Sequence, residues 1–369
     1  MSRALERRGE LQRLARVLGV EPDDLGALDG ADVATLRELR HAVADRLLEQ
    51  SRDQFSRAVA LGDALPASVA ARLAQHVMGP VLGGRAAALL SPRKAGELAR
   101  RLPADFLADV ACHVDVRKVG PLLEDIDRGT MAEAGEHLRR RGEWVVLGAF
   151  VGHVRDDVVA DLLDGFDGEA LLRSGAVIED ASRIDAVVAM LTDARLDGLL
   201  RAADEHALWT DVVSLNVHLC DAQLDRVASA VERLSGPRIE ALAALLAADD
   251  ELRAAARPIT RRLSARFLAD VAADVDLGRV GGILEGIPTA TLAQAAAELG
   301  RRDAWPLLGR LLTVLPEDVL ADLRPELDDG LLRRAEETDA AAGDGPPAGP
   351  DGDDAAGSAK SPPAPPTRR

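Results

Sequence analysis

The histidines and cysteines are the side chains of this sequence best suited to metal binding or acid–base catalysis. His113, His137 and His153 fall in three different predicted helices, so they could meet on one face of a helical protein. Their spacing matches no zinc or iron motif. His218 and Cys220 are two positions apart on a predicted helix, so they point in different directions and cannot form a nucleophile pair. We therefore expect the histidines to be surface or half-buried helix residues.

The two cysteines, Cys112 and Cys220, belong to no disulfide or zinc motif. We interpret both as small, buried, apolar side chains. A glycine-rich phosphate loop, a nucleophile elbow and a paired-metal motif are also missing from the sequence. The sequence therefore predicts a protein that is not an enzyme, with no catalytic residue, no cofactor and no metal ligand.

Three pairs of adjacent aspartates are the remaining candidates for ion binding. They are Asp23-Asp24, Asp156-Asp157 and Asp249-Asp250, and each falls at a predicted helix start or turn. Carboxylates at the start of a helix complement its dipole and cap its free N–H groups. A weak divalent-ion site is the alternative interpretation.

Two tryptophans, each preceded by a pair of arginines, form the candidate interaction site. Arg140-Arg141 precede Trp144, and Arg301-Arg302 precede Trp305 at the same spacing. In one interpretation the tryptophan packs between helical hairpins while arginine lies over it or reaches helix-terminal carbonyls. In the other, the tryptophan and arginines line a groove that binds a ligand.

These two groups belong to a long internal repeat. Residues Ala104–Leu163 align without a gap on Ala265–Arg324, about 161 positions later, and about 28 of the 60 pairs are identical by our count. The run Phe106–Ala111, for example, returns as Phe267–Ala272. Self-similarity of this kind predicts a repeat architecture.

A finer period of about 25–28 residues lies inside the long repeat, and each unit holds two short amphipathic helices. Such helices cannot bury their apolar faces alone, whereas stacked hairpins can. Sustained alternation typical of strands is missing. The sequence therefore predicts an all-α, right-handed superhelical solenoid, whose helices open near these residues: Phe106, Met131, Val158, Ile184, Val212, Ile239 and Phe267.

Local signals place several helix ends. A helix over Leu5–Leu18 should end at Gly19, and Asp32 should cap a longer helix that runs from Val33 towards Leu61. Thr130-Met131-Ala132-Glu133 fits a capping box that starts a helix at Thr130, and Thr291-Leu292-Ala293-Gln294 has the same chemistry. Before the first of these, Asp115 should start a helix with one buried face, formed by these residues: Val119, Leu122, Leu123 and Ile126.

The sequence divides into three regions. Residues 1–65 are predicted to form a helical N-terminal cap, with a dimerisation element as the alternative, and residues 66–335 the solenoid. Residues 336–369 contain Ala, Gly, Pro and Asp with almost no large apolar side chain, so we expect a disordered tail. The proline-rich end of that tail could instead be a ligand for a peptide-binding domain.

Charge and hydropathy exclude two further classes of partner, nucleic acid and the membrane interior. The net charge of −17 argues against nucleic acid as a partner, because nucleic acid requires a basic surface. The first twenty residues carry charges throughout, and the longest apolar run, Trp144–Val154, is about half of what a bilayer span requires. We therefore expect a cytoplasmic protein without membrane insertion.

Two segments resemble a known family. The sequences Asp156–Leu163 and Pro316–Leu323 are similar to the hairpin motif of the cytoplasmic N-terminal helical domain of MgtE-type magnesium transporters, in which acidic residues precede an Ala-Asp-Leu pattern. The similarity extends loosely over Leu90–Leu332. It implies a superhelical domain that takes part in magnesium sensing. The regulatory module and membrane pore of that family do not follow here, and no metal ligand is carried over.

We therefore expect a scaffold or adaptor that binds another protein through a curved helical surface. The alternative is a regulatory sensor of divalent cations such as magnesium, which the family resemblance implies. A third possibility is an enzyme that uses the histidines.

Overall fold

A computed structural model gives the structure of residues 3–274, 284 and 286–335. Throughout these residues the chain forms helices and turns without a β-strand, which confirms the predicted all-α class. None of the helices in this part of the chain is both long enough and apolar enough to span a membrane. The predicted disordered tail, 336–369, lies outside the described residues.

Two helices form the N-terminal region: α1 (Arg3–Leu18) and α2 (Val33–Ala64), with a 3₁₀ helix at Pro22–Leu28 between them. Helix α1 ends at Gly19, whose φ of +72° is the left-handed conformation of a helix terminus. The Asp32 carboxylate accepts the Thr35 N–H at 3.0 Å and so caps α2. Both predicted helix ends are confirmed.

Short helices follow from residue 67, several of them joined by single helical turns. In chain order they are α3 (Ala67–Leu73), α4 (Gly79–Ala87), α5 (Pro92–Ala99), α6 (Ala104–Ala111), α7 (Val116–Val119), α8 (Arg128–Arg140), α9 (Trp144–Phe150), α10 (Asp156–Gly165), α11 (Gly168–Gly175), α12 (Arg183–Met190), α13 (Asp193–Glu205), α14 (Trp209–Leu215), α15 (Asp221–Val231), α16 (Gly236–Ala248), α17 (Asp250–Thr260), α18 (Ala265–Asp274), α19 (Thr289–Arg301), α20 (Trp305–Val314) and α21 (Glu317–Leu323). A π-helical turn at Ala74–Met78 joins α3 to α4.

The helix starts agree with the two periods of the sequence. Helices α6, α8, α10, α12, α14, α16 and α18 each begin one to three residues before the predicted opening. Four pairs of helices begin 161 positions apart, namely α6 with α18, α8 with α19, α9 with α20 and α10 with α21. Helices therefore begin at equivalent positions in the two copies of the long repeat.

Helices pack mainly on near neighbours along the chain. Helix α8 lies between α6 and α10, while α11, α13, α15 and α17 pack in series from α9 onward. Their facing sides bury Leu, Val and Ala side chains in one continuous core between Ala108 and Ala335. Because the chain has few aromatic residues, the core is held together by many small contacts between aliphatic side chains.

Two predicted helix boundaries are wrong. The cap of α8 is Asp127, which accepts the Thr130 N–H at 2.9 Å and its hydroxyl at 2.6 Å, so Thr130 lies inside the helix. Aspartate is as good a cap as threonine, and it comes three residues earlier. In the equivalent position of α19 the cap is Pro288, so Thr291 is also inside its helix.

The helix predicted to start at Asp115 is interrupted. Asp115 caps α7, which ends after one turn at Val119, and a 3₁₀ segment continues over Gly120–Asp125. Pro121 has no N–H to donate to an α-helical ladder, which explains the break. The predicted apolar residues Val119, Leu122 and Leu123 are nevertheless buried.

The N-terminal helices contact the repeats at widely separated points. Arg16 of α1 pairs with Glu143 at the start of α9, and Arg13 donates to the Val177 carbonyl after α11. Arg40 of α2 pairs with Glu179. Helix α1 therefore lies across several hairpins, while α2 also packs on α3 and α4.

Candidate functional site

Each of the three tryptophans begins a helix after the same kind of turn. Trp144, Trp209 and Trp305 follow, by two residues, a residue with positive φ, namely Gly142 (70°), Ala207 (56°) and Asp303 (56°). The next N–H bonds back to a carbonyl five residues earlier, at 3.0, 2.8 and 3.0 Å, which is the helix-ending Schellman pattern. The sequence interpretation missed Trp209, although its position in a hairpin is the same.

The arginines beside the two predicted tryptophans form ion pairs with neighbouring helices. Arg141 pairs with Asp109 of α6, and its counterpart Arg302 pairs with Asp270 of α18 at 2.5 Å. Arg140 donates to Glu136 at 2.8 Å. Arg301 pairs with Glu298, which also accepts from Arg302. The same arginine–aspartate pair thus joins equivalent helices in both copies of the repeat.

The tryptophans themselves pack on the core. Trp144 and Trp305 are half-buried against it, and Trp209 is only 6% exposed. The Arg334 guanidinium lies 5.2 Å from the centre of the Trp305 ring, which is cation–π distance. These contacts are those of tryptophans that pack on the core. The ligand groove at Trp144 and Trp305 stays a prediction.

The histidines and cysteines do not assemble a metal site within the described part of the chain. His137 lies in α8, and His153 follows α9. Cys112 is half-buried, and burial raises the pKa of its thiol. The prediction that both cysteines are buried is wrong for Cys220, which is exposed because it precedes α15, where its N–H donates to Asp185 at 2.8 Å.

The paired aspartates make local hydrogen bonds and ion pairs, as expected for residues at helix starts. These contacts, in chain order, are Asp24 with the Glu21 N–H at 3.1 Å, Asp156 with Arg183, Asp157 with Arg155 at 3.1 Å, Asp249 with the Leu252 N–H at 3.0 Å, and Asp250 with Arg253.

A pocket of about 370 Å³ lies where the N-terminal helices meet the first hairpins, and we call it the N-terminal pocket. Its walls come from α1, α2, α4, α9 and the turn after α6. Among the described residues that line it, five are arginines and two are acidic: Arg13, Arg16, Arg40, Arg85 and Arg117, with Asp115 and Glu179. The chain as a whole has 62 acidic and 45 basic residues, so the charge balance of this pocket is reversed.

Two arginines that line the N-terminal pocket, Arg13 and Arg40, belong to a buried ion-pair network centred on Glu10. The Glu10 carboxylate is fully buried and accepts from Arg13 at 2.9 Å, Arg40 at 3.0 Å and Arg37 at 3.2 Å. Burial lowers the pKa of Arg13. Burial acts to raise the pKa of Glu179, but the charge of Arg40, its hydrogen bond and the charge of Arg13 together outweigh burial and lower that pKa overall. The network therefore fixes α1 and α2 on the repeats.

The rim of the pocket combines a free cation with exposed apolar side chains. Arg85 forms no ion pair with any residue that the structure describes. Leu18 and Val81, which also line the pocket, are 44% and 42% exposed. Burial, and then the positive charges of Arg16 and Arg85, lower the pKa of His113 on the wall. An apolar surface with positive charge is suited to a partner that is both apolar and acidic.

Comparison of the chain with protein-family models, curated proteins and solved structures found no match. The class established here is therefore an all-helical protein, and the resemblance to the MgtE N-terminal domain depends on the quoted motifs alone.

Proposed function

We propose that this protein is a non-catalytic scaffold or adaptor that binds another protein, and that its hairpins stack as a right-handed superhelical solenoid. The serial packing of α9, α11, α13, α15 and α17 supports the stacked arrangement. We also propose a cytoplasmic location, and the net charge of −17 supports the absence of nucleic acid among its partners.

The N-terminal pocket is the proposed binding surface, and its reversed charge is the observation that carries the proposal. Arginine is enriched at protein interfaces, and apolar residues beside it supply the area that drives association. Arg85 is free to pair, while Leu18 and Val81 are exposed next to it. The partner expected from this chemistry is an acidic amphipathic helix, which would place its apolar face on the pocket and a carboxylate on Arg85.

Site-specific photo-crosslinking in the native cell tests this proposal. A benzophenone amino acid at Val81 should crosslink one partner, and mass spectrometry should map the crosslink to an acidic amphipathic segment. The same amino acid at Val217, a valine outside the pocket that is also exposed, is the matched control. If both positions crosslink the same proteins, the proposal would be contradicted.

A charge-reversal variant tests whether the partner is acidic. Arg85→Glu should abolish the crosslink from position 81, because a free cation is replaced by an anion. Arg201→Glu provides the control, since Arg201 is also exposed and has no ion pair within the described residues. A crosslink that survives Arg85→Glu, or that maps to a basic segment, would contradict the proposed partner chemistry.

The alternative function, magnesium sensing, depends on the family resemblance. The paired aspartates already contact arginines and backbone N–H groups, so a cation would have to displace those partners. We expect no magnesium-specific rise in melting temperature at matched ionic strength. A saturable rise that Asp156→Asn and Asp157→Asn remove together would favour the sensor.

A further inference from the structure

A second cavity of about 250 Å³ runs beneath the helices between α4 and α12, and we call it the apolar cavity. Of the described residues that line it, all but Thr130 and Ser174 have apolar side chains or are glycine. The Thr130 hydroxyl is satisfied by Asp127 at 2.6 Å. The wall is therefore almost without polar groups, in contrast to the arginine-rich N-terminal pocket.

Ser174 is the exception. It lies in α11, is 7% exposed, and its Oγ has no hydrogen-bond partner in the described part of the chain. A buried hydroxyl without a partner costs about 1–3 kcal/mol, so such groups are uncommon in folded proteins. An oxygen on a bound molecule would satisfy it.

The size of the cavity limits what it can hold. A dry protein cavity of about 150 Å³ accommodates benzene, with six carbons, so by proportion 250 Å³ accommodates about ten. The volume therefore fits a single aliphatic chain of medium length.

We propose that the apolar cavity binds one medium-chain aliphatic molecule that carries an uncharged oxygen, such as a fatty alcohol or an acyl ester. The Ser174 hydroxyl forms a hydrogen bond to that oxygen, and the aliphatic chain lies among Val110, Met131 and Leu162. A carboxylate would lie there without a cation, because none of the described residues that line the cavity is basic, and its desolvation cost would be large. This activity goes beyond the scaffold role and does not depend on it.

Calorimetric titration of the full-length protein with 1-decanol, below its solubility limit, tests the proposal. Saturable binding of one molecule per chain is expected, with much weaker binding of decanoate at pH 8 and matched ionic strength. Ser174→Ala should weaken decanol binding about five-fold, the effect of one hydrogen bond. Ser214→Ala is the matched control, because Ser214 is also buried and its Oγ also has no partner in the described residues, but Ser214 does not line the cavity.

Filling the cavity gives an independent test. Ala134→Phe should abolish decanol binding while the circular dichroism spectrum stays helical, and Val154→Phe repeats the test from another wall if the first variant does not fold. Unchanged decanol binding in a folded filled variant would overturn the proposal, as would equal affinity for decanoate. Concentration-dependent dimerisation that the filled variants remove would show that a second copy occupies the surface, and would also overturn it.

Discussion

Glu136 is a single side chain that binds two arginines on the surface of α8. Its carboxylate accepts hydrogen bonds from Arg139 at 2.6 and 2.8 Å and from Arg140 at 2.8 Å. The sequence pointed to Arg140 as part of an interaction site without singling out Glu136, although Glu136 stands at the i,i+3 and i,i+4 spacing from Arg139 and Arg140 at which helix ion pairs form. Spacing does not fix the side-chain rotamers, so the two hydrogen bonds from Arg139 were not predictable.

The pKa of Glu136 provides a test at the residue scale. Hydrogen bonds from Arg139, and then the charges of Arg139 and Arg140, lower this pKa to about 2. Because the folded-state pKa lies below the ordinary value of 4.5, the stabilisation by Glu136 is complete above about pH 4.5 and is lost as the pH falls towards 2. Urea unfolding of wild type and Glu136→Gln should therefore differ at pH 6 and converge near pH 2.

Glu133→Gln is the control for that measurement, because Glu133 is exposed on the same helix. A difference between wild type and Glu136→Gln that stays constant from pH 6 to pH 2 would show that the ion pairs do not form as described.

The turns before the tryptophans are the recurring element of the fold. They end α8, α13 and α19, each of 13 residues, in the same left-handed conformation. Glycine adopts this conformation freely, whereas alanine is strained by about 1–2 kcal/mol. One position, Gly142, has the favoured residue, and Ala207 does not.

Opposite effects on stability should follow from exchanging these residues. Gly142→Ala should destabilise the protein by about 1 kcal/mol, and Ala207→Gly should stabilise it by a few tenths to 1 kcal/mol, in urea unfolding. Space is not limiting at residue 142, where an added Cβ would meet the Trp144 indole nitrogen at 3.5 Å. Gly62→Ala, in open space within α2, should be neutral or stabilising, and a loss equal to that of Gly142→Ala would refute a backbone origin.

The elements were largely predictable because their signals are local. Apolar spacing and the 161-residue offset placed the helix openings within three residues. The errors came where two local signals compete, as at Asp127 against Thr130, or where Pro121 interrupts an apolar face. The spacing of apolar residues alone cannot predict which residue caps α8 or that α7 ends before Pro121.

At the scale of the whole molecule, the N-terminal pocket was not predictable. It depends on contacts such as those of Arg13 with Val177 and Arg40 with Glu179, which join residues more than 130 positions apart. The sequence shows these arginines only as part of a general excess of arginine over lysine. The surplus of arginine over acidic residues on α1, in an acidic chain, is the one sequence signal that could have indicated a basic surface there.

The series of stacked hairpins is the central claim, since both proposed sites lie on the surfaces that it creates. Small-angle X-ray scattering of a chain that ends at Ala335 tests it most directly, because a compact domain of that length has a radius of gyration of about 20 Å. Hairpins stacked in series should give a value at least a quarter larger, with a pair-distance distribution skewed to long distances. A symmetric distribution and a radius of gyration of about 20 Å would contradict the solenoid.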